Sequence, residues 1–134
     1  MNAPIQDLGT YLIANMPSTT PLVAGTNLFY GQIPESAGLS VALIDGAGTA
    51  PIPATEVSDL DQPGVQVMVR GTLGGYQAAY SLIATVVGVL HKTAATISGT
   101  DYVLIFKMNE PSCIGYDSTN RPVFTCHLAV KRQA

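Results

Sequence analysis

Tryptophan is absent, cysteine and histidine occur twice each, and no lysine or arginine appears in residues 1–69. Charge of either sign is scarce. Charged residues make up 11% of the 134-residue chain, against about 25% in typical soluble domains. Disorder is excluded, because disordered chains are polar and charged, whereas hydrophobic residues reach 47% here and mean hydropathy is +0.30. So little charge points to a subunit that hides part of its surface in an assembly. A net charge of −3 and a pI near 5.0 oppose a nucleic-acid binder that works by neutralising phosphates. Two cysteines make no disulfide framework; Cys113 and Cys126 fall on expected strands and read as buried free thiols. The N-terminus lacks a basic n-region and an apolar h-region, so no signal peptide is expected, and the default context is intracellular and reducing.

Catalytic motifs are also missing. Gly71-Thr72-Leu73-Gly74-Gly75 precedes a helical pattern but lacks the Gly-Lys-Ser/Thr ending of a phosphate loop. It reads as a tight strand-to-helix connection. No Gly-x-Ser-x-Gly nucleophile elbow occurs. His91, His127, Cys113 and Cys126 could supply four zinc ligands, but Cys126 and His127 are adjacent and would point to opposite faces of a strand. Glu56, Asp59 and Asp61 are too few oxygen ligands for a calcium loop and read as a solvated loop. The expectation is no enzyme, no metal and no cofactor. A small ligand-binding α+β domain is the alternative from another class, opposed by the lack of clustered His, Cys, Asp or Glu.

The length suits one domain spanning 1–134. Ile5, Leu8, Leu12 and Met16 recur at helical steps after Pro4, predicting a helix over 2–16 that Pro17 ends. Strands are expected at Asn27–Ile33 and Leu39–Ile44, joined as a hairpin by a turn at Pro34–Gly38. Asp45–Gly64 holds Pro51, Pro53, Pro63, Gly46, Gly48 and Gly64 and reads as a long acidic loop; loops of this length are uncommon and tend to be functional. Gly64–Arg70 resumes as a strand, with Val65, Val67 and Val69 alternating. A second helix is expected over Leu73–Lys92, with Tyr76, Ala79, Tyr80, Ile83, Val87 and Leu90 inward. Its uncharged stretch, Thr72–Leu90, is no membrane span, because Gln77, Ser81, Thr85, Gly88 and Lys92 share one polar or small face. Strands at Ala95–Ser98, Tyr102–Met108 and Val123–Val130 follow, with a shorter one at Cys113–Tyr116 and a turn at Asp117–Asn120. This order predicts an α+β fold: a mostly antiparallel sheet with two helices packed on one face and a long loop insertion.

Charge is split along the chain. Residues 1–69 carry six acids and no base; residues 70–134 carry six bases and three acids, so the halves hold −6 and +3. A two-ended subunit of this kind suits head-to-tail contacts that close into rings, with complementary charge setting register. The candidate interface residues are Arg70, Arg121, Lys131 and Arg132 on the basic side and Glu56, Asp59 and Asp61 on the acidic side.

Several strings in order carry a family resemblance: Asp7-Leu8-Gly9-Thr10-Tyr11-Leu12, Thr26-Asn27-Leu28-Phe29-Tyr30-Gly31, Val65 to Gly71 followed by Tyr76-Gln77-Ala78-Ala79-Tyr80, and Gly115 to Phe124. Together they resemble a minor capsid or tail-completion protein of long-tailed bacteriophages, similar to siphophage tail terminators. The resemblance implies a structural virion protein of the phage neck and tail, assembled in the host cytoplasm. It implies a ring, usually of six subunits, that caps the head-proximal end of the tail tube and joins the head connector, while genomic DNA passes through the lumen without sequence recognition. A head-completion or stopper protein on the connector side is the alternative within the same system. The resemblance transfers no site residue. The Asp45–Gly64 loop is expected to contact a neighbour or partner rather than line the lumen, because Ile52, Val57 and Leu60 are apolar.

Overall fold

The structure, a computed structural model, describes residues 1–52 and 60–133. Pro4, with its fixed φ and no N–H to leave unpaired, opens helix α1 (Pro4–Asn15). Leu8 and Leu12 are its fully buried leucines. Gly9 is there because nothing larger fits: a Cβ at this position would lie 2.1 Å from the Tyr30 hydroxyl oxygen. Strands β1 (Leu28–Tyr30), β2 (Ser40–Ile52) and β3 (Leu60–Arg70) follow, then helix α2 (Tyr76–Leu90), then β4 (Thr93–Ile97), β5 (Thr100–Lys107), β6 (Ser112–Tyr116) and β7 (Pro122–Gln133). They form one seven-stranded sheet in the order β1-β2-β3-β7-β5-β4, with β6 also paired to β7. Every pairing is antiparallel except β1–β2. The chain is therefore α+β, with a mostly antiparallel, curled sheet and both helices against it.

The core follows from strand alternation. Val65, Val67 and Val69 on β3 and Phe124, Cys126, Leu128 and Val130 on β7 all point to the helices and are buried. Val41, Leu43, Tyr102 and Ile105 extend that layer across β2 and β5. Helix α2 answers with Ala79, Leu82, Ile83, Val86, Val87 and Leu90. This face is rotated from the expected one: Tyr76 and Tyr80 lie on its flank, about half exposed, stacked edge-on with Phe124 at ring-centroid separations of 4.9 and 6.0 Å. Bulky tyrosine rings reach the core margin from the flank, while Leu82 and Val86 are buried in their stead.

Two expectations are corrected. The strands β1 and β2 are not a hairpin: they run parallel, with Leu28 opposite Val41 and Tyr30 opposite Leu43. Gly31, at φ +91°, turns the chain out of β1, and residues 31–39 travel back before β2 begins. The Asp45–Gly64 segment is not a loop in its described parts. Residues 45–52 continue β2 and 60–64 begin β3, paired from Asp45–Val65 to Ile52–Leu60. Bulges between Gly46 and Thr49 and between Thr49 and Ile52 absorb Gly46, Gly48, Pro63 and Gly64, four of the residues that suggested a loop. Close backbone approach explains the glycines: a Cβ on Gly64 would meet the Ala47 carbonyl oxygen at 2.3 Å. Residues 53–59, which include Glu56, Val57 and Asp59, lie outside the described residues.

Candidate functional site

Two polar clusters sit on the subunit, and each joins the acidic first half of the chain to the basic second half. The first fixes the β1–β2 connection. Arg70, at the end of β3 and only 7% exposed, donates from Nη2 to the carbonyls of Pro34 (2.6 Å) and Ala37 (3.1 Å). Burial, and then the nearby Arg121 charge, lower its pKa from the ordinary arginine value. Arg121, just before β7, reaches the same connection: Nη1 donates to the Glu35 carbonyl at 2.8 Å and Nη2 pairs with the Glu35 carboxylate at 3.0 Å. Its Nε pairs with Asp117 at 2.7 Å.

Asp117 organises the β6–β7 turn. Its Oδ1 accepts from the backbone N–H groups of Thr119 and Arg121 and from the Thr119 hydroxyl. Partial desolvation opposes its charge, but the Arg121 and Thr119 donors prevail and hold its pKa at about 2. Asn120, at φ +61°, completes the turn expected from the sequence.

The second cluster lies at the opposite end of β3 and β7. Arg132 pairs through Nε with Asp61 at 2.9 Å and through Nη1 with the Asn2 carbonyl at 2.9 Å and the Tyr102 oxygen at 3.2 Å. Tyr102 donates in turn to Asp7 on α1 at 2.6 Å, and Asn2 donates to the other Asp7 oxygen at 3.1 Å. Asp7, Tyr102 and Arg132 are all buried. Burial, reinforced by the bond to Asp7, pushes the Tyr102 pKa up to about 12. Burial opposes the Arg132 charge, but Tyr102 and Asp61 raise its pKa above the ordinary value. Beside this cluster, Lys131 Nζ donates to Gln62 Oε1 at 2.5 Å.

The structure thus brings Asp61 and Arg132 together and places Arg70 beside Arg121, while Lys131 bonds Gln62 on β3. Asp61 is a paired strand residue, not part of a solvated loop. Glu56 and Asp59 lie outside the described residues. Asn2, Asp7, Glu35, Tyr102 and Asp117 were not singled out as partners. One signal for Asp7 exists in the sequence: it is the only charged side chain in residues 1–34, and it interrupts an apolar helix.

The other chemistry-bearing residues stand apart. Both cysteines are free, Cys126 buried and Cys113 half-buried. His91 Nδ1 accepts from the Lys107 N–H at 3.0 Å, and His127 is exposed on β7. Among the described residues no group of three or more His, Cys, Asp or Glu could hold a metal ion, and no helix is long and apolar enough to cross a membrane. An open depression of about 390 Å³ lies over Gly46, Gly64, Met108, Asn109 and His127. It brings no nucleophile and base into contact. Large apolar side chains are exposed instead, among them Leu73, Tyr76, Tyr80, Val103, Leu104, Met108, Ile114 and Tyr116.

Comparison with known proteins supplies what these features do not. No curated protein matches the chain in sequence. Among solved structures, a chain from "Virion of native gene transfer agent (GTA) particle" superposes with a TM-score of 0.75 at 17% identity, over 98% of this chain and 96% of that one. At that identity the likeness shows the fold. The family described as "Bacteriophage tail terminator protein" matches residues 7–133. A match over that span settles membership: this chain belongs to the bacteriophage tail terminator family and is a structural protein of the phage tail.

Proposed function

We propose that the subunit forms a ring, with six copies as the resemblance implies, that caps the head-proximal end of the tail tube and joins it to the head connector. The observation that carries this reading is the family match over residues 7–133. The exposed apolar side chains and the scarcity of charge support it, because a free monomer gains nothing from either. Tail tube protein and connector are the partners, and the genome passes through the lumen without sequence recognition. The whole chain acts as one domain in the virion. Arg121 and Lys131, each still partly exposed, join Glu56 and Asp59 as residues that meet a neighbour, while Arg70, Arg132 and Asp61 act on the interface through the segments they hold.

Electron microscopy of intact particles carrying a labelled subunit tests the reading. The expected result is a ring between tail tube and connector. Label on the head side of the connector would make the protein a stopper, and label elsewhere would reject both roles. Light scattering on the purified chain distinguishes a six-subunit ring from a monomeric ligand-binding domain.

A further inference from the structure

An antiparallel sheet that leaves one face to water alternates apolar residues inward with polar residues outward. This sheet keeps the rule only on its inner side. Val65, Val67, Phe124 and Leu128 point to the helices, and the positions between them point away. On that outer face Gly46, Gly64, Ala129 and Phe106 form one row across β2, β3, β7 and β5, with Ile44, Gln66 and His127 in the next. Leu104 lies beyond the first row, opposite Lys131. Among the described residues no helix covers this face, and the depression of about 390 Å³ beside Gly46, Gly64 and His127 opens on it. Its charged side chains stand at the margins: Arg70 bonded to residues 34 and 37, Lys131 bonded to Gln62, and Asp101 near the β4–β5 turn.

The helix side is poorer in charge still. Residues 1–27 hold one charged side chain, the buried Asp7, and residues 71–91 hold none, where about a quarter would be usual. Ile13, Val23, Leu73, Tyr76 and Tyr80 are exposed there. Lys107 and Glu110, which border α2 beside Tyr80 and Gly88, are paired with each other.

We infer that the helix side of one subunit packs on the outer sheet face of the next, with α2 laid over Leu104, Phe106 and Ala129. This inference rests on the ring reading and specifies its contact.

The two surfaces match in charge and in position. A charged partner set against the helix side would lose water from its ions and find no counter-charge there. The helix side therefore needs a partner surface equally free of charge, and the middle of the outer sheet face is one, carried by the same chain. The two surfaces lie on opposite sides of the sheet, so one copy can hold two neighbours at once. That is the head-to-tail arrangement that closes into a ring when the rotation permits. A two-fold contact between helix sides would pair copies off and leave the apolar sheet face bare. The neighbour's helices instead give the sheet a second helical layer, which Leu104 and Phe106, as outward apolar residues, call for. Lys131, assigned above to a contact with a neighbour, stands at the rim of this face, where its ammonium keeps access to water.

Photo-cross-linking tests the contact. Ser81 is exposed on α2, on the side away from the buried Ala79, Ile83 and Val86. Benzoylphenylalanine replaces it, particles are assembled and irradiated, and the adducts are mapped by mass spectrometry. The expected adduct joins residue 81 of one copy to β5 or β7 of another. An adduct to α2 of another copy would mean a two-fold helix contact and would overturn the inference, as would an adduct to a different protein of the particle. No adduct from particles in which electron microscopy shows the ring would overturn the contact and leave the ring reading intact. Wild-type particles without a ring would overturn both. As a second measurement, Ser81→Glu and Leu104→Glu each place a charge on one of the two surfaces. With folding checked by circular dichroism, each should remove the ring from particles; a normal ring from either folded variant would overturn the contact.

Discussion

Arg132, next to last in β7, and Asp61, near the start of β3, meet at 2.9 Å inside one subunit. The acidic and basic halves of the chain therefore neutralise one another within the fold, at this pair and again at Glu35 and Arg121. Arg132→Met should lower stability by about 3 kcal/mol, the low end for breaking a buried pair, because Asp61 keeps 28% of its side-chain surface in water. Urea unfolding measures this. An unchanged midpoint would show that the cluster does not support the fold.

Tyr102→Phe removes the donor that satisfies the buried Asp7 carboxylate, at an expected cost of about 1–3 kcal/mol. The pH dependence has a defined sign. The Tyr102 pKa is raised to about 12 from an ordinary value of about 10. Its contribution is complete below about pH 10 and is lost as pH rises from there through about 12. Wild type should lose more stability across that window than Tyr102→Phe, as followed by circular dichroism.

Asp117 behaves in the opposite sense. Its folded pKa is depressed to about 2, so its contribution is complete above an unfolded value of about 4 and is lost as pH falls from there through about 2. Nuclear magnetic resonance should show the Arg121 and Thr119 amide signals moving in that range. Asp117→Asn should remove the titration and loosen the β6–β7 turn.

Gly9→Ala should destabilise the subunit, because its Cβ would overlap the Tyr30 ring. In a Tyr30→Ala background the same change should stabilise by about 0.5–1 kcal/mol, since alanine is the better helix former. A double-mutant cycle by thermal melting checks this reversal of sign.

Ile83→Asp would bury an unpaired charge at a fully enclosed position of α2, costing several kcal/mol and soluble expression. Tyr80→Ala, on the half-exposed flank, should cost only about 0.5–1.5 kcal/mol from its edge contact with Phe124. Similar losses for the two would contradict the rotated packing face.

Periodicity made both helices legible, because Leu8 and Leu12, or Ile83, Val87 and Leu90, recur at helical steps whatever surrounds them. Alternation did the same for β3 and β7. The distal parts of β2 and β3 were hidden because glycine and proline there accommodate bulges, and pairing overrides their intrinsic preference. The parallel β1–β2 pair was hidden because Arg70, from a later strand, anchors the returning connection. The polar clusters were illegible for the same reason. Asp7 and Tyr102 are 95 residues apart, and no local spacing marks their contact. The charge split was visible, but composition could not say that its first use lies inside the subunit.

Strand β7 is the last element among the described residues and pairs with β3, β5 and β6. The nascent polypeptide therefore cannot complete its sheet until the twelve residues Pro122–Gln133 have been made. Until then β3 lacks its central partner, and Asp61 and Tyr102 lack Arg132. Such non-local pairing folds late and slowly. Synthesis thus carries its own timer: the sheet closes only after β7 has been made, and a product truncated before Pro122 is left without its central strand.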